Sequence, residues 1–365
     1  MLRSWFSPFL MLFTNRRQSK PKRAIFVLKT MIFVAFFGHW LANEPSKTLI
    51  PPLIPYSSGK LDNKENASVS PFATQNAPSV YYRHWLGTDA LGRDVSAGII
   101  TGTRTAFLIG VGGVFLALLI GLPIGLAVGY FGDNRLEVPI FSLILRGCFF
   151  VLTLFYLFVL FNVQASVISI LGVLIVAFLV FEWFISILEK SIFLKFKKIT
   201  LPLDLVVMRF VEVMQSIPFI LWVLGALTIV QRLSTLSLIL FIGATGWTGF
   251  VRLIRGEMIR IRQLEYMEAA EVMGARPLRI ILHHALPNIL TPVLIAFAFG
   301  IANGVLLEAS LSFLGLGLPV EQVTWGTLLM EVRTDYSAWW MAVFPGLAVF
   351  ATVYTFNRLG EYLSE

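Results

Sequence analysis

Residues 265–287 read EYMEAAEVMGARPLRIILHHALP, a polar and basic stretch set between two long apolar runs. From Tyr266 to Met273 the residues favour a helix, and Gly274 supplies a stop of the C-cap type. Pro277 follows three residues later and fits the first turn of a second helix. That second helix runs into the membrane through Leu286 and Pro287. Two readings of the unit stand side by side. In one, Ala269 and Ala270 leave a flat surface for another protein's side chains, and Glu268 offers an acceptor to a partner's Arg or backbone amide. In the other, the stretch is a basic juxtamembrane loop resting on the lipid surface.

Composition sets the context. Of 365 residues 57% are hydrophobic and only 14% charged, with a mean hydropathy of +0.78. Soluble domains hold about 25% charged residues, so the balance predicts an all-α polytopic membrane protein. Thirty-two Phe and nine Trp suit a lipid-facing surface with aromatic belts. The net charge of +8 comes from Lys and Arg in short segments beside apolar runs, where the positive-inside rule accounts for them, and nucleic-acid binding is set aside. The single cysteine, Cys148, excludes an intramolecular disulfide and reads as packing among Phe149, Phe150 and Leu152.

A helix crossing about 30 Å of hydrocarbon needs roughly 20 residues. Eight runs qualify: 24–42, 105–131, 138–161, 164–188, 205–230, 236–254, 288–314 and 338–357. The first follows the basic N-terminus 1–23, lacks a convincing cleavage site at Trp40-Leu41-Ala42, and is expected to remain as a transmembrane helix. Basic residues in the N-terminus, in 189–209 and in 252–279 place those segments in the cytoplasm, giving eight crossings with both termini inside. The long 43–104 segment is then extracytoplasmic, with its stretch to about Tyr82 rich in Pro, Ser and Asn.

Absences narrow the chemistry. There is no G-x-x-x-x-G-K-[ST], no H-E-x-x-H (His283-His284 is followed by Ala285-Leu286), and no G-x-S-x-G. No catalytic, cofactor-binding or metal-ligating residue is therefore expected, and no substrate-binding residue can be named. Asp89 and Asp94 in GTDALGRD do not match a calcium-loop spacing, so a structured outer turn is the better reading.

Glu268-Ala269-Ala270, then Gly274, then Leu286-Pro287 resembles the signature loop of ATP-binding-cassette (ABC) importer permeases, with His284 where that family often has Ile. Other stretches support the resemblance in order: His84 to Asp94 (HWLGTDALGRD), Gly129 to Gly132 (GYFG), Met208-Arg209 with Glu212 and Pro218, Glu308 to Gly317 (EASLSFLGLG), and Trp339-Trp340 with Phe344-Pro345-Gly346 and Asn357. The chain is similar to the C-type inner-membrane permease of dipeptide, oligopeptide and nickel importers over about 80–132 and 203–361. The resemblance implies a type I permease core at 105–132 and 203–361, with six helices counting the first, in a prokaryotic cytoplasmic (inner) membrane. It implies a second homologous permease, two ATPase subunits that hydrolyse ATP, and an extracytoplasmic solute-binding protein. The 255–287 segment becomes the coupling loop, with Glu268, Ala269, Ala270, Gly274, Leu286 and Pro287 at the ATPase contact, and transport proceeds by alternating access.

Typical relatives lack the 134–201 segment, which reads as an inserted transmembrane hairpin turning at 162–166. Arg146 and Glu182 each lie 18 positions from Gln164, so such a turn sets them at one depth, where they either pair or snorkel separately. The C-terminus also departs from relatives, reading Gly360 to Glu365 where they continue GDGLRD. Two other classes compete. A self-sufficient secondary transporter predicts internal repeats and ionisable residues along a path, and a membrane-embedded enzyme predicts catalytic motifs.

Overall fold

In hydrocarbon every backbone N–H and C=O must find its partner within the segment, so apolar runs of membrane length become helices. The computed structural model describes residues 22–42, 52–59, 67–75, 79–133, 135, 137–139, 198–230, 233–319 and 321–364, with 142, 145–146, 149, 152–153, 176–183 and 185 between them. Its helices are α1 (Lys22–Leu41), α2 (Val95–Phe131), α3 (Leu203–Ser216), α4 (Phe219–Val230), α5 (Thr235–Arg262), α6 (Glu265–Val272), α7 (Pro277–Arg279), α8 (Leu286–Phe313), α9 (Trp325–Glu331) and α10 (Trp339–Ser364). A π-helical turn, Ile280–Ala285, joins α7 to α8, so that Pro277–Phe313 is one helix of 37 residues.

Among the described residues four helices are long and apolar enough to cross a membrane: α2, α5, the α7–α8 helix and α10. The run 205–230, expected as one helix, is broken. Pro218 has no N–H to give and pushes the preceding residue out of the helical region, so α3 stops at Ser216 and α4 leaves at 82°. The carbonyls freed by the break are taken by side chains. Ser216 Oγ donates to the Val213 carbonyl at 2.8 Å, and Trp222 Nε1 donates to the Met214 carbonyl at 3.4 Å. Counted as one span, the bent pair makes five. Helix α1 covers the predicted first span with 20 residues.

The chain divides into two compact units, Met1–Leu126 with Val211–Glu365, and Ala127–Phe210. In the first, α2 lies against α5 and α8 at glycine-backed contacts. A Cβ on Gly121 would lie 2.6 Å from Phe250 Cβ, and one on Gly110 would lie 2.8 Å from Val305 Cγ2. Close approach of small residues is how helices associate where lipid removes the hydrophobic drive between them. Helix α10 packs along α8 and also meets α9 and α1. Core clusters join Ile109 of α2 to Leu238 and Ile242 of α5, and Ala106 to Val305, Trp325 and Val349.

In the second unit, Glu137–Pro139 and Lys198–Thr200 form an antiparallel pair, with Val138 opposite Ile199, a small exception to the all-helical expectation. Asp133 Oδ1 accepts the Leu205 N–H at 2.9 Å. The predicted hairpin, including its turn at 162–166, lies mostly outside the described residues. Its described positions support an antiparallel arrangement: Arg146 Nη2 donates to Glu182 Oε2 at 3.1 Å, and the Phe149 and Phe181 rings stack at 3.9 Å. The two ion-pair side chains are 40% and 38% exposed, so neither is sealed in the unit. Of the two readings of Arg146 and Glu182, pairing is the one observed.

Candidate functional site

The loop between α5 and α8 is built from its glycine outward. Helix α6 ends at Met273, and Gly274 takes φ +76°, a conformation that L side chains rarely adopt. The Gly274 N–H donates to the Glu271 carbonyl at 2.9 Å and the Ala275 N–H to the Ala270 carbonyl at 3.1 Å. This is the Schellman arrangement, which satisfies carbonyls that the end of a helix would otherwise leave open. Arg276 is extended, and Pro277 opens the second helix at its first position, as predicted.

Helix α6 rests on the end of α5 and on the π turn. Met267 and Ala270 are buried, as are Met258 and Ile261 of α5 and Ile280 and Ala285 of the π turn. Glu268 and Ala269 face out, Leu286 is half-buried, and Pro287 is exposed. A helix that lies on its neighbours must bury one stripe, and Ala270 falls on it, one turn from Met267, while Ala269 faces out. The outward surface is formed by residues the sequence reading passed over. Val272 is 88% exposed, Met273 80% and Leu278 67%, on either side of Gly274. Their signal was legible as apolar side chains set among Glu268, Glu271, Arg276 and Arg279.

The π turn has a local cause. Pro287 has no N–H, and in a regular helix its ring would strike the carbonyl four residues back. One extra residue in the turn relieves this, and the Leu286 N–H bonds the Ile281 carbonyl, five residues back. The His284 carbonyl is taken by Asn288 Nδ2 at 2.7 Å, and the same amide donates to Tyr266 Oη at 3.1 Å. Asn288 thus ties α6 directly to α8.

At the opposite end of the unit, the 84–94 stretch is a structured turn, as expected. Gly87 and Gly92 take φ +81° and +79°. Asp89 accepts the Leu91 and Arg93 N–H groups at 2.9 and 2.7 Å and pairs with the Arg93 guanidinium. Asp94 accepts the Ala97 N–H at 2.8 Å, which caps α2, and His84 Nδ1 lies 2.8 Å from its other oxygen. Both carboxylates are thus committed within the protein. Among the described residues no group of three or more His, Cys, Asp or Glu is arranged to hold a metal ion.

Helix α9 closes on this turn. Glu331 accepts the Ala90 N–H at 3.0 Å and Arg93 Nη2 at 3.3 Å, and Trp340 Nε1 donates to the Thr88 carbonyl at 3.0 Å. Burial, reinforced by the nearby Asp89 charge, pushes the Glu331 carboxyl up to about 7 against the hydrogen bonds from Ala90 and Arg93.

Comparison with known proteins follows this geometry. Residues 197–365 match the family model of the binding-protein-dependent transport system inner membrane component. The chain is 28% identical over 283 residues to the glutathione transport system permease protein of Pectobacterium atrosepticum, covering 77% of this chain and 71% of that one. It is 26% identical over 291 residues to the oligopeptide transport system permease protein of Haemophilus influenzae (79% and 71% covered). The dipeptide transport system permease protein of Bacillus subtilis is 26% identical over 284 residues (77% and 67% covered). The matched region contains the bent pair α3–α4, Gly274, the α7–α8 helix and α9. Through it the chain is similar to the inner membrane components of binding-protein-dependent transport systems.

Proposed function

We propose that this chain is a permease subunit of an ABC importer that moves peptides across the cytoplasmic (inner) membrane. Its relatives are named as permeases for glutathione, oligopeptides and dipeptides, which supports a short peptide as cargo. The chain spans the membrane with both termini inside, as a six-helix core plus the inserted 134–201 hairpin, eight crossings in all. A second homologous permease completes the path, two ATPase subunits supply the hydrolysis, and a solute-binding protein delivers cargo from outside.

The observation that carries the reading is the coupling loop. Helix α6 is bounded by a Schellman turn at Gly274, presents Glu268, Ala269, Val272 and Met273 outward, and is tied through Asn288 to a helix that continues to Phe313. At about 1.5 Å per residue, 37 residues carry a displacement of the loop over roughly 55 Å, more than a bilayer core. ATP-driven closure of the ATPases, seated on this surface, moves the loop and biases the bundle between its two states.

The test is purification of the tagged chain from its native membrane, with identification of what accompanies it. Two ATPases and a second permease, lost on Glu268→Arg, are expected. Recovery of the chain alone in several mild detergents, with peptide uptake intact in liposomes, would replace this reading with a self-sufficient transporter.

A further inference from the structure

Glu308 lies in α8 near its outer end, and it is fully buried. Its Oε1 accepts the Ser312 hydroxyl at 2.9 Å, and Ser312 Oγ in turn accepts the Leu318 N–H at 3.4 Å, in the connection leading to α9. Thr324 is the cap of α9, where its side chain accepts the Thr327 N–H at 3.2 Å. Glu308 Oε2 makes no hydrogen bond among the described residues.

The packing around this carboxyl is as close as backbone allows. A Cβ on Gly326 would lie 2.5 Å from Ser312 Cβ and 2.7 Å from the Ala309 carbonyl, and one on Gly317 would lie 2.3 Å from Ser312 Oγ. Trp325, next to the cap, is buried and donates Nε1 to the Ile99 carbonyl of α2 at 2.9 Å. At its other end α9 meets the 84–94 turn through Glu331. A buried carboxyl with an open oxygen is a poor choice for stability alone, since an apolar side chain fills the same space without desolvating a polar group. Its value is directional: it holds the Ser312 hydroxyl, which bonds the connection at Leu318 and packs against Gly326 of α9, at one defined register.

We infer that Glu308 is a positioning residue that fastens α9 to α8, so that motion delivered along α8 from the coupling loop moves α9 and the outer 84–94 turn as one body. The inference rests on the importer reading and adds a specific residue to it. Loss of the Glu308 link leaves ATP hydrolysis running while the outer end lags behind it.

The experiment uses the whole transporter, this chain with its second permease and ATPases, reconstituted in proteoliposomes with its binding protein. ATP hydrolysed per peptide imported is compared for wild type, Glu308→Leu, Glu308→Gln and Ser312→Ala. Glu308→Leu is expected to raise the ratio about five- to tenfold, the low end of coupling between distant sites. Glu308→Gln, which keeps an acceptor for Ser312 and the shape of the side chain, is expected to stay near wild type. A wild-type ratio in Glu308→Leu overturns the inference, as does a Glu308→Gln ratio as high as that of Glu308→Leu. If Glu308→Leu fails to assemble, Ser312→Ala decides: a raised ratio supports the link and an unchanged one overturns it. Absence of ATP-dependent uptake by the wild-type assembly would refute the importer reading instead.

Discussion

Gly274→Val isolates the turn of the coupling loop, because the structure separates backbone cost from steric cost at this position. Gly274 has φ +76°, and a Cβ built there meets nothing within 4 Å. Any penalty within the chain therefore comes from holding an L-residue in the left-handed region, roughly 1–2 kcal/mol. A β-branched side chain sits at the upper end of that range, and Asn, whose side chain bonds locally, sits well below it. At about 1.4 kcal/mol per tenfold, a cost near 2 kcal/mol depletes the native turn roughly 30-fold against competing loop conformers. The apolar spans are untouched, so membrane insertion and the yield of assembled complex stay at wild-type levels. ATP-driven peptide uptake in proteoliposomes is expected to fall more than about tenfold for Gly274→Val, and by less than about threefold for Gly274→Asn. Wild-type uptake by Gly274→Val would refute the reasoning. Equal damage from Asn and Val would refute it too, since bulk at a partner's surface, and not φ, would then be the cause.

Three further perturbations follow from the geometry. Pro287→Ala restores an N–H and removes the ring that sustains the π turn; a regular helix there shifts the register by one residue, about 100° of rotation between loop and α8. Uptake should drop while insertion is kept, and unchanged uptake would show that the register is not transmitted. Glu331 is protonated more readily in the folded chain than in the unfolded one, so the folded state binds the extra proton between about pH 4.5 and 7. Stability is therefore greatest below that window and falls as pH rises through it, by up to about 3 kcal/mol, and Glu331→Gln should flatten the thermal-stability profile of the purified complex over that range. In the inserted segment, Arg146→Leu and Glu182→Leu should each lower the level of folded protein, within the roughly 2.5–3.5 kcal/mol that an unmatched intramembrane charge costs. The double variant should recover it, and additive losses would show that the 3.1 Å contact contributes no coupling.

Much of the fold is readable along the chain because membrane helices answer to local rules. Length and hydropathy alone place α2, α5, α8 and α10, with ends shifted by up to about ten residues where caps decide. The start of α2 at Val95, well before the apolar run at 105, follows from Asp94 and its bond to the Ala97 N–H, a polar cap that hydropathy does not see. The break at Pro218 was equally local, yet an apolar run of membrane length hid it. The strand pair at 137–139 and 198–200 had no legible signal, because its partners lie some sixty residues apart.

The site divides along the same line. The sequence by itself determined the 265–287 stretch as helix, glycine and second helix, because Gly274 and Pro277 act through their own φ and missing N–H. It also placed Arg146 opposite Glu182, because a hairpin turn makes depth a matter of counting. Only the tertiary structure decided which face of α6 is outward. Ala269 and Ala270 are identical in sequence terms, but α5 and the π turn cover one and leave the other, and Val272, Met273 and Leu278 become the exposed surface. The links of Asn288 to Tyr266, of Ser312 to Leu318, and of Glu331 to Ala90 and Arg93 belong to the same class. Each joins residues from separate elements, and such contacts are set by packing, which no local rule encodes.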